Sequence, residues 1–317
     1  MLNVVNRKKI FFTIPAVILV LGIIFYFVHG GFNLDVDFTG GTNLQLDLGQ
    51  QFEEKDITDI VSTTIPGLTP SSIIKGGDNG TEVTIKLKEL SDEESTKVLN
   101  AIREKYDPSY KAGDETVVED EKAEASGDTA ATESGFKVFS RDTVSATIGK
   151  ELGRSAVLSA VIAILLMLVY ISFRFEFWSG IASITALTHD VLMVLSIYAI
   201  FNLPINTTFI AAILTIVGYS INATIVIFDR VRENDRFAKK TPFGEIVNKS
   251  IAQSITRSVN TSLTTLLSIL VLYIIGVDSI KQFALPIIIG IVVGTYSSVT
   301  IAGPMWHTLK GGNKSAK

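Results

Sequence analysis

Asp190, with His189 beside it, stands out among the ionisable residues of this 317-residue chain by its place in apolar surroundings. They lie near the middle of Trp178–Phe201, an apolar run long enough to cross a membrane. An isolated carboxylate at that depth must be protonated, paired or turned to a polar cavity. It therefore marks either an ion path or a hydrogen-bonded structural contact. A second polar concentration is Val217–Asn234, VGYSINATIVIFDRVREN. Gly218, Tyr219, Ser220, Asn222 and Thr224 interrupt an apolar helix there, and Asp229, Arg230, Arg232 and Glu233 close it. A helix that only anchors has no need of such a cluster, because each polar group at membrane depth costs free energy. Arg257 opens a later apolar run at its cytoplasmic edge. It can snorkel to the interface or approach Asn222 and Ala223 at similar depth.

The motifs that would support other chemistries are missing. No GxxxxGK[ST] phosphate loop occurs, and Gly149–Lys150 is followed by Glu151. An intrinsic ATPase is therefore not expected. There is no GxSxG and no HExxH. Without cysteine the chain has no disulfide, thiolate site or cysteine nucleophile, and three scattered histidines do not make a metal site. No cofactor and no nucleic-acid partner is expected. An energised activity would need an ion gradient or a partner.

The elements that must position these residues are membrane spans. The chain is 47% hydrophobic with a mean hydropathy of +0.39. Six candidate spans follow from apolar length: Ile10–Val28, Ser155–Phe173, Trp178–Phe201, Thr207–Phe228, Ser262–Val277 and Phe283–His307. The first is read as a retained span, since its apolar run exceeds that of a cleaved signal and no small-x-small site follows before His29. Lysine and arginine set the orientation. Arg7, Lys8 and Lys9, the basic loop Asp229–Arg257, and Lys310, Lys314 and Lys317 all fall on one side, which is cytoplasmic. Segment 30–154 carries 25 acidic against 13 basic residues and lies outside. The protein is thus expected in the bacterial cytoplasmic membrane with both termini inside.

The outer segment reads as a small α+β domain. Thr42–Leu48, Ser72–Lys75, Thr81–Lys88 and Phe136–Ser145 pattern as strands. Glu53–Ile65 has helical spacing, and Ser91 followed by Asp92, Glu93 and Glu94 starts a second helix that ends near Tyr106–Pro108. The order β-α-β-β-α-β is that of a ferredoxin-like unit. Residues 111–135 are acidic and nearly free of large apolar side chains, which predicts a disordered surface insertion. The division is 1–29 first helix, 30–154 outer domain, 155–308 five-helix membrane domain and 309–317 tail.

At this point the residues resemble the SecD/SecF family, membrane subunits of the bacterial Sec protein-export machinery and relatives of the proton-driven resistance-nodulation-division transporters. The resemblance rests on Asp37-Phe38-Thr39-Gly40-Gly41, on Leu187-Thr188-His189-Asp190, and on Gly218-Tyr219-Ser220-Ile221-Asn222. It continues in Phe228-Asp229-Arg230-Val231-Arg232-Glu233-Asn234, and in Arg257 with Thr261-Ser262-Leu263-Thr264-Thr265. These motifs occur in order over nearly the whole chain. The resemblance implies a SecF-type subunit that works with SecD and the SecYEG channel, downstream of SecA. It implies use of a proton or sodium gradient to pull exported, unfolded polypeptide outward. It also implies a junction at Asp37, Gly40 and Gly41, where the outer domain moves relative to the membrane part.

One departure stands out. The family has Asp directly after the Asn of the fourth-span motif, as the ion-carrying carboxylate, with the fifth-span Arg as its partner. Here Asn222 is followed by Ala223, which cannot bind a proton or a sodium ion through its side chain. The relay positions by resemblance are therefore Asn222, Ala223 and Arg257, with Asp190 beside them. An engineered change, reliance on the equivalent carboxylate of SecD, and relocation of the site to Asp190 all account for the alanine. The expectation is a weakened or absent relay step of the chain's own, with Arg257 turning to headgroups, water or an acid such as Asp229. A half-size transporter of a lipid or small molecule, or a non-conducting scaffold, are the competing functions.

Overall fold

A computed structural model of the protein describes residues 3–77, 80–107, 136–174, 176–238, 241–276 and 278–311. The acidic segment 111–135 lies outside the described residues. The chain forms two compact units, Asp35–Gly153 and Met1–Leu34 with Arg154–Lys317.

The first unit contains a four-stranded antiparallel sheet. Its strands are β1 (Gly41–Asp47), β2 (Ser72–Gly76), β3 (Glu82–Leu87) and β4 (Lys137–Val144), in the order β2-β3-β1-β4. Leu44 of β1 lies opposite Ile85 of β3, and both are fully buried. That is the apolar alternation of the sequence converted into one packed face. A bulge at Gln45/Leu46 shifts the register against β4. Helices α3 (Glu54–Thr64) and α4 (Asp92–Tyr106) place Ile57, Val61, Val98 and Ile102 in the same core. Helix α4 starts with a capping box: the Ser91 hydroxyl accepts from the Glu94 amide, and the Glu94 carboxylate accepts from the Ser91 amide. These bonds hold the Glu94 carboxyl below the usual carboxylate range.

The turn of helix α2 (Val36–Thr39) leads into β1. Asp35 ahead of it accepts from the Val36 amide at 2.7 Å and from Lys86 Nζ of β3 at 2.5 Å, with both side chains buried. Asp37, Gly40 and Gly41 follow within this unit. Gly40 has φ +78°, which suits glycine, and a Cβ on Gly41 would collide with the Leu87 carbonyl.

The second unit is helical. Among the described residues five helical stretches are long and apolar enough to cross a membrane. They are α1 (Lys8–Val28), α6 (Phe177–Ile200), α7 (Thr207–Phe237), α8 (Phe243–Ile275) and the stretch Ile280–Leu309. The last comprises α9 (Asp278–Ser297), a π-turn at Ser298–Ala302 and α10 (Gly303–Leu309). Helix α5 (Ala146–Arg174) precedes α6. Apolar side chains such as Ile14, Leu21, Leu263 and Leu267 are exposed on the helices, while Ser183, Asp190, Ser220 and Ser297 are buried between them. That inverts the usual distribution of a water-soluble core. The protein is a helical membrane protein with a small antiparallel sheet domain.

The structure corrects the reading of Asp229–Arg257 as a loop. Helix α7 runs on to Phe237 and α8 already begins at Phe243, well before Ser262. Both extensions are amphipathic, with Val231, Ile246, Val247 and Ile251 buried. An apolar-length criterion sees the hydrocarbon-spanning part of a helix and misses its charged continuation.

Candidate functional site

Close helix packing creates the polar centre. Gly290 and Gly294 line the side of α9 that meets α7. A Cβ on Gly290 would overlap Ile216, and one on Gly294 would stand 3.2 Å from Ser220 and 3.6 Å from Asp190 Oδ2. Small residues at this spacing allow the helices to approach closely. Their approach leaves room beside Gly294 for the Asp190 carboxyl.

Asp190 is 1% exposed. Its Oδ2 accepts hydrogen bonds from Ser220 Oγ of α7 and, at 2.8 Å, from Ser297 Oγ of α9. Its Oδ1 lies 2.9 Å from His189 Nδ1. One carboxyl group therefore joins α6, α7 and α9. His189 Nε2 is buried with no hydrogen-bond partner among the described residues. Ser297 ends α9 where the π-turn begins, and a π-turn re-aims the side chains that flank it. Sequence reasoning singled out Ser220 and Asp190 but missed Ser297. The small polar run Thr295–Thr300 inside an apolar span was the available signal.

The fourth-span motif forms a second layer. Tyr219 OH donates to Ser262 Oγ of α8 at 3.3 Å, and Thr295 Oγ1 of α9 donates to the same oxygen at 2.7 Å. Gly218 faces open space. Towards the charged end, Arg230 Nε donates to Gln253 Oε1 at 2.7 Å and its Nη1 to Glu233 Oε2 at 2.6 Å. Asn234 Nδ2 donates to Ser250 Oγ at 2.8 Å and to Gln253 Oε1 at 2.9 Å. Asp229 Oδ1 sits 3.8 Å from Arg232 Nη1. The bonds of Arg230 and Asn234 to Ser250 and Gln253 zip the charged end of α7 to α8.

Asn222, Ala223 and Arg257 are not brought into a polar contact. Asn222 and Arg257 are exposed and Ala223 is half-buried. Arg257 stands in the middle of α8 rather than at its start. No carboxylate among the described residues pairs with its guanidinium; its backbone carbonyl accepts from Thr261 Oγ1 at 2.9 Å. The buried hydroxyls of Thr224 and Ser258, next in sequence to Ala223 and Arg257, also lack partners among the described residues. Asp190 is thus enclosed and hydrogen-bonded, whereas Arg257 faces outward from the same bundle.

Comparison with known proteins identifies the family. Residues 125–312 match the family model described as protein export membrane protein SecD/SecF, C-terminal. The chain is 32% identical to the protein translocase subunit SecF of Sebaldella termitidis over all of this chain and 94% of that protein. It is 33% identical to the SecF subunit of Alicyclobacillus acidocaldarius over 96% of this chain and 91% of that protein. Its structure is similar to the crystal structure of SecDF, a translocon-associated membrane protein from Thermus thermophilus. There the TM-score is 0.79 at 33% identity, over 98% of this chain and 38% of that longer chain. The chain belongs to the SecD/SecF family of protein-export membrane proteins and is an accessory subunit of the Sec protein translocase.

Proposed function

We propose that this chain is the SecF-type half of a SecD–SecF pair, coupling a proton or sodium gradient to the late, outward steps of polypeptide export through the SecYEG channel after SecA-driven insertion. The observation that carries the reading is the uncovered polar face of α7 and α8. Asn222, Thr256, Arg257, Asn260, Thr261 and Thr264 are all exposed there, on helices otherwise fitted to lipid. A guanidinium and amides facing hydrocarbon are costly, so this face calls for a membrane partner that supplies polar groups. The SecDF relatives of Thermus thermophilus and Bacillus subtilis, in which this chain matches 36% and 38% of a single longer protein, support a SecD-type partner.

The relay positions are Asn222, Ala223 and Arg257 with Asp190, and Ala223 leaves its own position without an ionisable side chain. Of the fourth-span motif Gly218, Tyr219, Ser220, Asp229 and Arg230, the side chains of Tyr219, Ser220 and Arg230 tie the relay helix to its neighbours, and Asp37, Gly40 and Gly41 form the junction of the sheet unit. The working topology has six crossings, with α5 as the second. Its exposed Val157, Leu158, Val161, Leu165 and Leu166 favour that assignment. The strand order β2-β3-β1-β4 with two helices favours a ferredoxin-like outer domain. Both termini lie in the cytoplasm of a bacterium. The subunit works without nucleotide hydrolysis of its own.

The test is gradient-dependent export in vesicles that contain the partner. Ala223→Asp is expected to raise it, by supplying a carboxylate at the relay position. Unchanged export on this substitution counts against the relay assignment. Co-purification separates the alternatives: a SecD-type subunit and channel components support the export role, while a self-dimer with bound lipid supports a half-size transporter.

A further inference from the structure

We propose that His189 and Asp190 form a two-group proton relay: the proton enters at His189 Nε2 and is stored on Asp190 Oδ1, while Ser220 and Ser297 hold the other carboxyl oxygen. The proposal rests on the gradient-coupled reading above and gives it a proton-binding group that Ala223 cannot supply.

The geometry assigns a different task to each atom. Both serine hydroxyls point at Oδ2, so that oxygen is fully engaged whatever happens at Oδ1. Oδ1 has the imidazole Nδ1 at 2.9 Å. In the ionised state Nδ1–H donates to Oδ1, and Nε2 is left as a bare lone pair with no donor among the described residues. A buried acceptor without a donor is uncommon, because leaving it unpaired costs about 1–3 kcal/mol. Such an atom in a membrane interior is suited to receive a proton. When a proton binds Nε2, the Nδ1 hydrogen passes to Oδ1. The ring returns to its neutral form as the other tautomer, and its Nδ1 now accepts from the carboxyl O–H. One proton is gained, no other bond changes, and the pair goes from one negative charge to none. Release is the reverse.

Among the described residues no other ionisable side chain bonds His189 or Asp190. On α7 the nearest, Tyr219, bonds Ser262 of α8. On α9, Tyr296 donates to the Phe11 carbonyl of α1. On α1, Tyr26 packs on Phe32. On α10, His307 stacks on Phe243 of α8, and Lys310 pairs with Glu176 and Asp235. No lysine or arginine among the described residues pairs with Asp190, so a proton is what neutralises it. A sodium ion would require a shell of six or so oxygens, whereas here one side of the carboxyl is closed by a ring nitrogen.

The test is infrared difference spectroscopy on the full chain in lipid vesicles, titrated from about pH 5 to about pH 9. A carboxyl C=O band and imidazole ring bands are expected to change together. Asp190→Asn should abolish the carboxyl band, and His189→Gln the coupled ring change. Ser297→Ala guards against a variant that fails to fold. It keeps the acid but removes one O–H donor from Oδ2, so the band should persist and move to higher frequency. Absence of the band, a band untouched by Asp190→Asn or unmoved by Ser297→Ala, or a band that follows sodium at constant pH would each overturn the proposal. Export by the same vesicles, supplied with partner and channel, is read separately. Export indifferent to the gradient beside an intact carboxyl band overturns the coupling reading and leaves the relay standing.

Discussion

Asp190 and Arg257 are both ionisable residues inside apolar helices, yet their surroundings are opposite. Asp190 is sealed among α6, α7 and α9, with each carboxyl oxygen engaged by a neighbour from its own chain. Arg257 is exposed in mid-α8, with no carboxylate partner among the described residues. The enclosed group can serve chemistry within this subunit, and the open one is suited to contact with another. A single chain thus carries one complete polar centre and one half-built polar face. The sheet unit offers a third case, where Asp35 and Lys86 form a buried ion pair closed within one small domain.

Breaking the closed sites should cost the most. Lys86→Met strands the Asp35 carboxylate in a buried position and should destabilise the sheet unit by about 3–5 kcal/mol. Hydrogen exchange at the β1 and β3 amides of the full chain measures this loss. Gly290→Val forces a branched side chain against Ile216 and should cost about 3 kcal/mol, seen as a lower thermal midpoint in detergent. Ser297→Ala removes one donor from Asp190 and should cost about 1–2 kcal/mol in the same assay. Arg257→Gln should have the smallest effect on the isolated chain, within about 0.5 kcal/mol, because no described partner is lost. Its effect should appear instead as reduced co-purification with the SecD-type partner. An Arg257 variant that unfolds the chain alone would erase the contrast with Asp190.

Much of this was legible in residues that act locally. Leu44 and Leu46 alternate with polar neighbours and are buried in β1, and Ser91 caps α4 as its sequence context predicts. Ser220 and Asp190 were recognisable because polar groups at membrane depth are expensive. Three features were not legible. The helical continuations beyond Phe228 and before Ser262 are amphipathic rather than apolar, so span length hid them. Lys86 lies in β3, a strand with both faces covered, where alternation gives no warning of a buried lysine, and its partner Asp35 precedes α2. The Ser297–Asp190 bond joins residues far apart in sequence, and only the close approach of α9 at Gly290 and Gly294 creates it.

The central claim is that this chain lets an ion gradient drive export. Its most direct test is translocation of a labelled precursor into inverted membrane vesicles holding the channel, the SecD-type partner and this chain, with the gradient present or collapsed by an ionophore. The account predicts faster completion of export with the gradient, and loss of that acceleration when this chain is left out. Equal export in all these conditions would contradict it.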